Sequence, residues 1–144
     1  MSAETVRDAM VPEPTTLGAG ASAQEAGRCF ADNGEVRAIF VTEDGGRLLG
    51  VVTRKTLVRE VVAAGLEPGG VPLREIAEPP NFTLDAGLEL ESAFRFLEEE
   101  DLERVPVVEE GGRLVGVLSR AVVQRRLAED EPPEDKLEPG SVVL

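Results

Sequence analysis

Two positions pair a hydroxyl with an arginine at the apparent start of a helix: Thr53 with Arg54, and Ser119 with Arg120. A helix start offers unbonded backbone amides and the positive end of the helix dipole, so such a place suits an anion, phosphate above all. The same hydroxyls are good N-caps in their own right, a role worth about 1 kcal/mol that needs no ligand. A second candidate group is Thr15 and Thr16 with their counterparts Phe82 and Thr83. These residues end proline-rich segments whose backbone polar groups stay open. Phe82 adds a flat ring, able to stack on a base or to fill a core.

Catalysis finds little support in the residue types. The chain has no histidine, no Cys/His spacing for a metal, no glycine-rich phosphate loop and no Ser or Cys nucleophile set beside a base. The expectation is a non-enzyme with no metal site and no required cofactor.

Both hydroxyl–arginine sites lie in a repeat. Gly45–Arg54 reads GGRLLGVVTR and Gly111–Arg120 reads GGRLVGVLSR, 66 positions later, with seven of ten residues identical. Val6-Arg7-Asp8 matches Leu73-Arg74-Glu75, and Pro12 and Leu17 match Pro79 and Leu84, at a spacing of 67. Ala38-Ile39-Phe40-Val41 then matches Arg104-Val105-Pro106-Val107 at 66, which places a one-residue deletion near Asp101, in a loop. The chain is one module used twice.

Each copy reads as helix, strand, helix, strand, strand, helix. In the first, a short helix spans residues 4–10, Pro12 and Pro14 enforce extended backbone, and Thr15–Leu17 forms a brief strand. Ser22 and Glu25 have the spacing of a capping box, opening a helix that runs to Asp32 and ends at Asn33-Gly34. In the matching helix of the second copy, Leu90, Ala93, Phe94 and Leu97 form an amphipathic stripe. Ala38–Thr42, the turn Asp44-Gly45-Gly46 and Arg47–Val52 predict a β-hairpin, repeated by 104–108 and 113–118. Helices follow over 54–64 and 120–128. The fold class is therefore α+β, an α/β sandwich whose two β-α-β-β-α copies pack through their sheets into one folding body. The first repeat is expected over 1–65, a linker over 66–72, the second repeat over 73–128, and a mobile acidic tail over 129–144.

A formal charge of −13 repels phosphate backbones and anionic lipid, which disfavours nucleic acid and membrane as partners. No run approaches the roughly 20 apolar residues of a membrane helix, and the first residues lack a leader pattern, so a cytoplasmic protein is expected. Its single cysteine, Cys29, fits a reducing compartment and a filler role.

Taken in order, Val6-Arg7-Asp8-Ala9-Met10 with Pro14 behind it, the run Arg104-Val105-Pro106-Val107-Val108, and Gly-Val-Val-Thr or Gly-Val-Leu-Ser opening a last helix resemble a tandem pair of cystathionine-β-synthase (CBS) domains. The resemblance covers nearly all of residues 4–128. It implies a Bateman-type module: two repeats about a pseudo-twofold axis, AMP, ATP or S-adenosylmethionine in the clefts between them, and pairing into a flat homodimer.

Thr53 and Ser119 then match the hydroxyl that contacts ribose or phosphate. Arg104 matches a basic position facing phosphate, and Val105 and Pro106 the segment near the purine. In the first copy Ala38, Ile39 and Phe40 hold those three places. Thr15, Thr16, Phe82 and Thr83 match the strand bordering the base, with Arg54 and Arg120 beside the hydroxyls. Binding copies usually carry an aspartate three residues after the hydroxyl. Here those places are Thr56 and Val122, so each cleft departs from the full pattern. The leading expectation is a regulatory module sensing AMP, ADP, ATP, NADH or S-adenosylmethionine and acting on an effector protein. The alternative is a ligand-silent dimerisation or protein-interaction module.

Overall fold

The computed structural model describes residues 4–12 and 14–129. Of the expected tail, 130–144 lie outside the described residues. The first half runs α1 (Val6–Ala9), β1 (Val11–Pro12), β2 (Thr16–Gly18), α2 (Ala23–Asp32), β3 (Ile39–Glu43), β4 (Arg47–Val52) and α3 (Arg54–Leu57), which continues as a wider π turn over Val58–Val62. The second runs β5 (Leu84–Asp85), α4 (Leu90–Glu99), β6 (Arg104–Glu109), β7 (Arg113–Ser119) and α5 (Arg120–Glu129).

Local chemistry sets these boundaries. The Ser22 hydroxyl accepts from the Glu25 amide at 3.1 Å while the Glu25 carboxylate accepts from the Ser22 amide at 3.1 Å, closing the expected capping box at the start of α2. Both hairpin turns hold a Gly pair at positive φ, Gly45-Gly46 at 76° and 82° and Gly111-Gly112 at 77° and 80°. Glycine adopts that region without the Cβ strain that other residues meet there, which suits a pair to each turn. The stripe on α4 is realised, with Leu90, Ala93 and Leu97 buried and Phe94 half-buried.

Among the described residues one mixed sheet has the order β2-β3-β4-β7-β6-β5, with β1 laid on β7. β2 runs parallel to β3 and β5 parallel to β6, while the hairpins β3–β4 and β6–β7 are antiparallel. The two halves join where β4 meets β7, at the single register pair Arg47 and Arg113. The order is palindromic about that seam, as two copies related by a twofold require.

The cores do not follow the repeat boundaries. Val6 and Ala9 of α1 pack with Leu84, Leu90, Leu97, Val107 and Leu118 of the second half. Val71, Leu73 and Ile76 pack with Phe30, Ile39, Val41 and Val52 of the first. Backbone bonds fasten the exchange: the Val6 amide donates to the Leu88 carbonyl at 2.8 Å, and the Leu73 amide to the Ala21 carbonyl at 2.8 Å. Each leading helix is thus inserted into the other copy, and Val71, inside the expected linker, is a core residue. The segments that make the crossing run over glycine. A Cβ at Gly116 would lie 2.6 Å from Met10 Sδ, and one at Gly50 2.8 Å from the Glu78 carbonyl oxygen. No helix among the described residues is long and apolar enough to cross a membrane.

Candidate functional site

The seam opens into a cleft of about 660 Å³, within the usual size range of small-molecule sites. Its floor alternates between halves: Phe40 and Val51 from β3 and β4, Pro106 and Val117 from β6 and β7. Strand alternation produces this wall, because residues two apart share a face. Register places Phe40 opposite Val51 and Pro106 opposite Val117, so the two apolar pairs are repeat equivalents. Polar groups border the wall: Thr15, Glu35 and Arg37 from the first half, Asn81, Arg104 and Ser119 from the second.

Of the residues singled out from sequence, Thr15, Ala38, Phe40, Phe82, Arg104, Val105, Pro106 and Ser119 come together in this cleft. Phe82 packs against the second core and also borders the cleft. Its ring meets Phe96 edge-on, centroids 5.2 Å apart. Thr16 opens instead on a shallower depression with Thr42 and Arg113. Ile39 points into the first core and is fully buried. Thr83 is exposed outside the cleft lining.

The hydroxyl–arginine sites do not lie open to an anion as their pattern suggests. Thr53 and Thr56 cap one another, hydroxyl to hydroxyl at 3.0 Å, with the Thr53 amide donating to Thr56 Oγ1 at 3.0 Å and the Thr56 amide to Thr53 Oγ1 at 3.2 Å. Thr56 is buried and its polar group is satisfied within that box. Arg54 folds back over the Phe30 ring, 4.7 Å from its centroid. It donates to the carbonyls of Val36 at 2.7 Å and Phe30 at 3.1 Å, closing the open end of α2. Arg120 is held by Glu103 and Asp101. The hydrogen bond to the Glu103 carboxylate raises its pKa above the ordinary guanidinium value, against an opposing desolvation. In both copies the arginine beside the hydroxyl is occupied by its own fold.

Ser119 differs from Thr53. It accepts one long bond, 3.5 Å, from the Val122 amide, and Val122 has no group to return. Its hydroxyl therefore keeps capacity for another partner, on the cleft wall beside Arg104. Neither Arg104 nor Arg37 makes an ion pair or hydrogen bond among the described residues. Glu35, Arg37 and Asn81 were absent from the sequence candidates. Arg37 stands where the second copy has Glu103, so a search by repeat equivalence passes over it.

An exchanged pair of β-α-β-β-α units meeting about a seam, with a ligand-sized cleft between them, defines a tandem two-unit module. The chain belongs to the CBS domain family, whose pattern matches residues 6–63 and again 73–129. Hypoxic response protein 1 of Mycobacterium tuberculosis is 30% identical over 125 residues, which are 87% of this chain and 86% of that protein. A crystal structure of Hypoxic Response Protein I with two coordinated zinc ions superposes with a TM-score of 0.72 at 29% identity, covering 85% of this chain and 98% of that one. The structure of CBSX2 in complex with AMP gives 0.67 at 25% identity, covering 87% and 96%. Residue chemistry separates this chain from a zinc site of the usual kind. It has no histidine and one cysteine, and no group of three or more Cys, Asp or Glu among the described residues converges on one point.

Proposed function

We propose that the chain is a cytosolic, non-catalytic regulatory module that binds an adenosine-type ligand, AMP, ADP, ATP, NADH or S-adenosylmethionine, in the seam cleft and transmits its occupancy to a partner protein. The observation that carries this reading is Arg104, unpaired among the described residues, beside the half-used Ser119 hydroxyl, both bordering an apolar wall with Phe82 and Pro106. The wall suits a purine, the guanidinium a phosphate and the hydroxyl a ribose or phosphate oxygen. A CBS-pair relative of similar length holds AMP, which supports the same ligand class here.

Transmission follows from how the halves meet. The two walls of the cleft belong to different halves, so a molecule touching both favours one arrangement of the halves over another. Ligands that bind the folded form raise its melting temperature by mass action. A thermal-shift panel of AMP, ADP, ATP, NADH and S-adenosylmethionine is expected to give an upward shift for at least one, reduced in Arg104→Ala. No shift with any of them at millimolar concentration overturns the reading.

A second reading is a protein-interaction or homodimer module that works without ligand. It is favoured by Val58, Val62 and Leu66, exposed by 57%, 71% and 50% along one side of the π turn and the residues after it. Sedimentation of wild type against Val62→Glu tests it: a dimer lost in the variant supports this face, and an unchanged mass rejects it.

A further inference from the structure

The two ends of the cleft are unequal, and the inequality traces to one exchanged charge. In the second half, Glu103 holds Arg120. The first half has Arg37 at the equivalent place, where a carboxylate partner for Arg54 would otherwise stand. Arg54 turns instead to the carbonyls of Phe30 and Val36, and Arg37 is left on the cleft rim without a partner among the described residues. The hydroxyls of Thr53 and Thr56 satisfy each other, so this end lacks the half-used hydroxyl that Ser119 gives the other. What it presents to the cleft is the Arg37 guanidinium, with the exposed Glu35 carboxylate and Thr15.

The second end offers the fuller set: Ser119, Arg104, Asn81 and the Phe82 ring. Both ends open into one continuous cleft, with Phe40, Val51, Pro106 and Val117 as shared floor. We propose that Arg37 is a specificity residue that receives the far anionic group of a ligand seated at the Arg104 end, so that the cleft selects a nucleoside polyphosphate over a monophosphate. This deepens the ligand reading given above and rests on it. A monophosphate seated at the second end has one anionic group, which Arg104 meets. Each added phosphate carries charge further along the floor toward a guanidinium that is unpaired among the described residues. The Glu35 carboxylate opposes that charge, so it limits the preference.

Calorimetric titration of the full chain with AMP, ADP and ATP, without magnesium, tests the assignment. Wild type is expected to bind ATP about tenfold more tightly than AMP, the size of one charge-assisted contact at a partly solvated site. Arg37→Ala is expected to erase that difference while leaving AMP unchanged. Arg104→Ala weakens both ligands, and Glu35→Gln strengthens ATP alone. Because Arg37 is exposed and unpaired among the described residues, its variant is expected to melt with wild type, which separates lost binding from lost folding. If AMP and ATP bind wild type equally, or Arg37→Ala leaves ATP untouched, the clamp is wrong while the cleft remains a ligand site. If none of the three binds wild type, both the ligand reading and the clamp fall.

Discussion

Arg47 and Arg113 face each other across the seam, and each crosses the other copy's turn. They form the one register pair between β4 and β7. Each guanidinium turns to a carboxylate in its own hairpin, Glu43 for Arg47 and Glu109 for Arg113. Each stem passes over the opposite diglycine. A Cβ on Gly46 would lie 3.4 Å from Arg113 Cγ, and one on Gly112 3.4 Å from Arg47 Cγ. The most conserved feature between the copies, Gly-Gly-Arg, is therefore a reciprocal clasp at the twofold and not a ligand motif. Long side chains of this kind contribute through the packing of their stems as well as through charge.

Gly46→Ala and Gly112→Ala are each expected to destabilise the fold by about 1–2 kcal/mol, from left-handed φ and from crowding of the opposing stem. Urea denaturation measures it. The double variant is expected to lose more than either single. A loss below a few tenths of a kcal/mol in both singles rejects the clasp.

Arg54 and Thr56 are expected to behave as structural residues. Arg54→Ala removes the Phe30 contact and the closure of α2, and Thr56→Val breaks the reciprocal cap with Thr53, each costing about 1 kcal/mol of stability. Melting temperatures check this. Ligand affinity at the cleft should stay constant in both; a selective loss of binding in a stable Arg54→Ala protein contradicts the assignment.

Much of this fold was readable because its determinants are local. The Ser22–Glu25 capping box, the diglycine turns and the stripe on α4 each lie within a few residues of one another, and all are present where the spacing puts them. The exchange of leading helices was not readable. Val6-Arg7-Asp8-Ala9 and Leu73-Arg74-Glu75-Ile76 present similar apolar faces, and repeats offer each helix two equivalent grooves. The exchanged path brings Glu78 over Gly50 and Met10 over Gly116, close approaches between residues far apart in sequence. Of the cleft lining, the sequence pattern reaches Ser119 and Arg104, while Thr53, the repeat equivalent of Ser119, lies outside it and is bonded to Thr56. Arg37 is passed over because the second copy has Glu103 at its place.

Val122 gives the sharpest test of where a ribose would lie. It is half-buried on the cleft wall in the first turn of α5, three residues after Ser119. A carboxylate at that place sits near the positive end of the helix dipole and can return a bond to the Ser119 amide, so Val122→Asp is expected to fold with little change in stability. Its second oxygen faces the cleft, where it can accept from ribose hydroxyls. Adenosine nucleotides are then expected to bind about tenfold more tightly, and their 2′-deoxy analogues to gain much less, since one acceptor bond is lost with the hydroxyl. Equal gains for ribo and deoxy ligands would place the sugar elsewhere. No gain at all would mean that the second end of the cleft does not receive the nucleoside, whatever Arg104 contributes to phosphate.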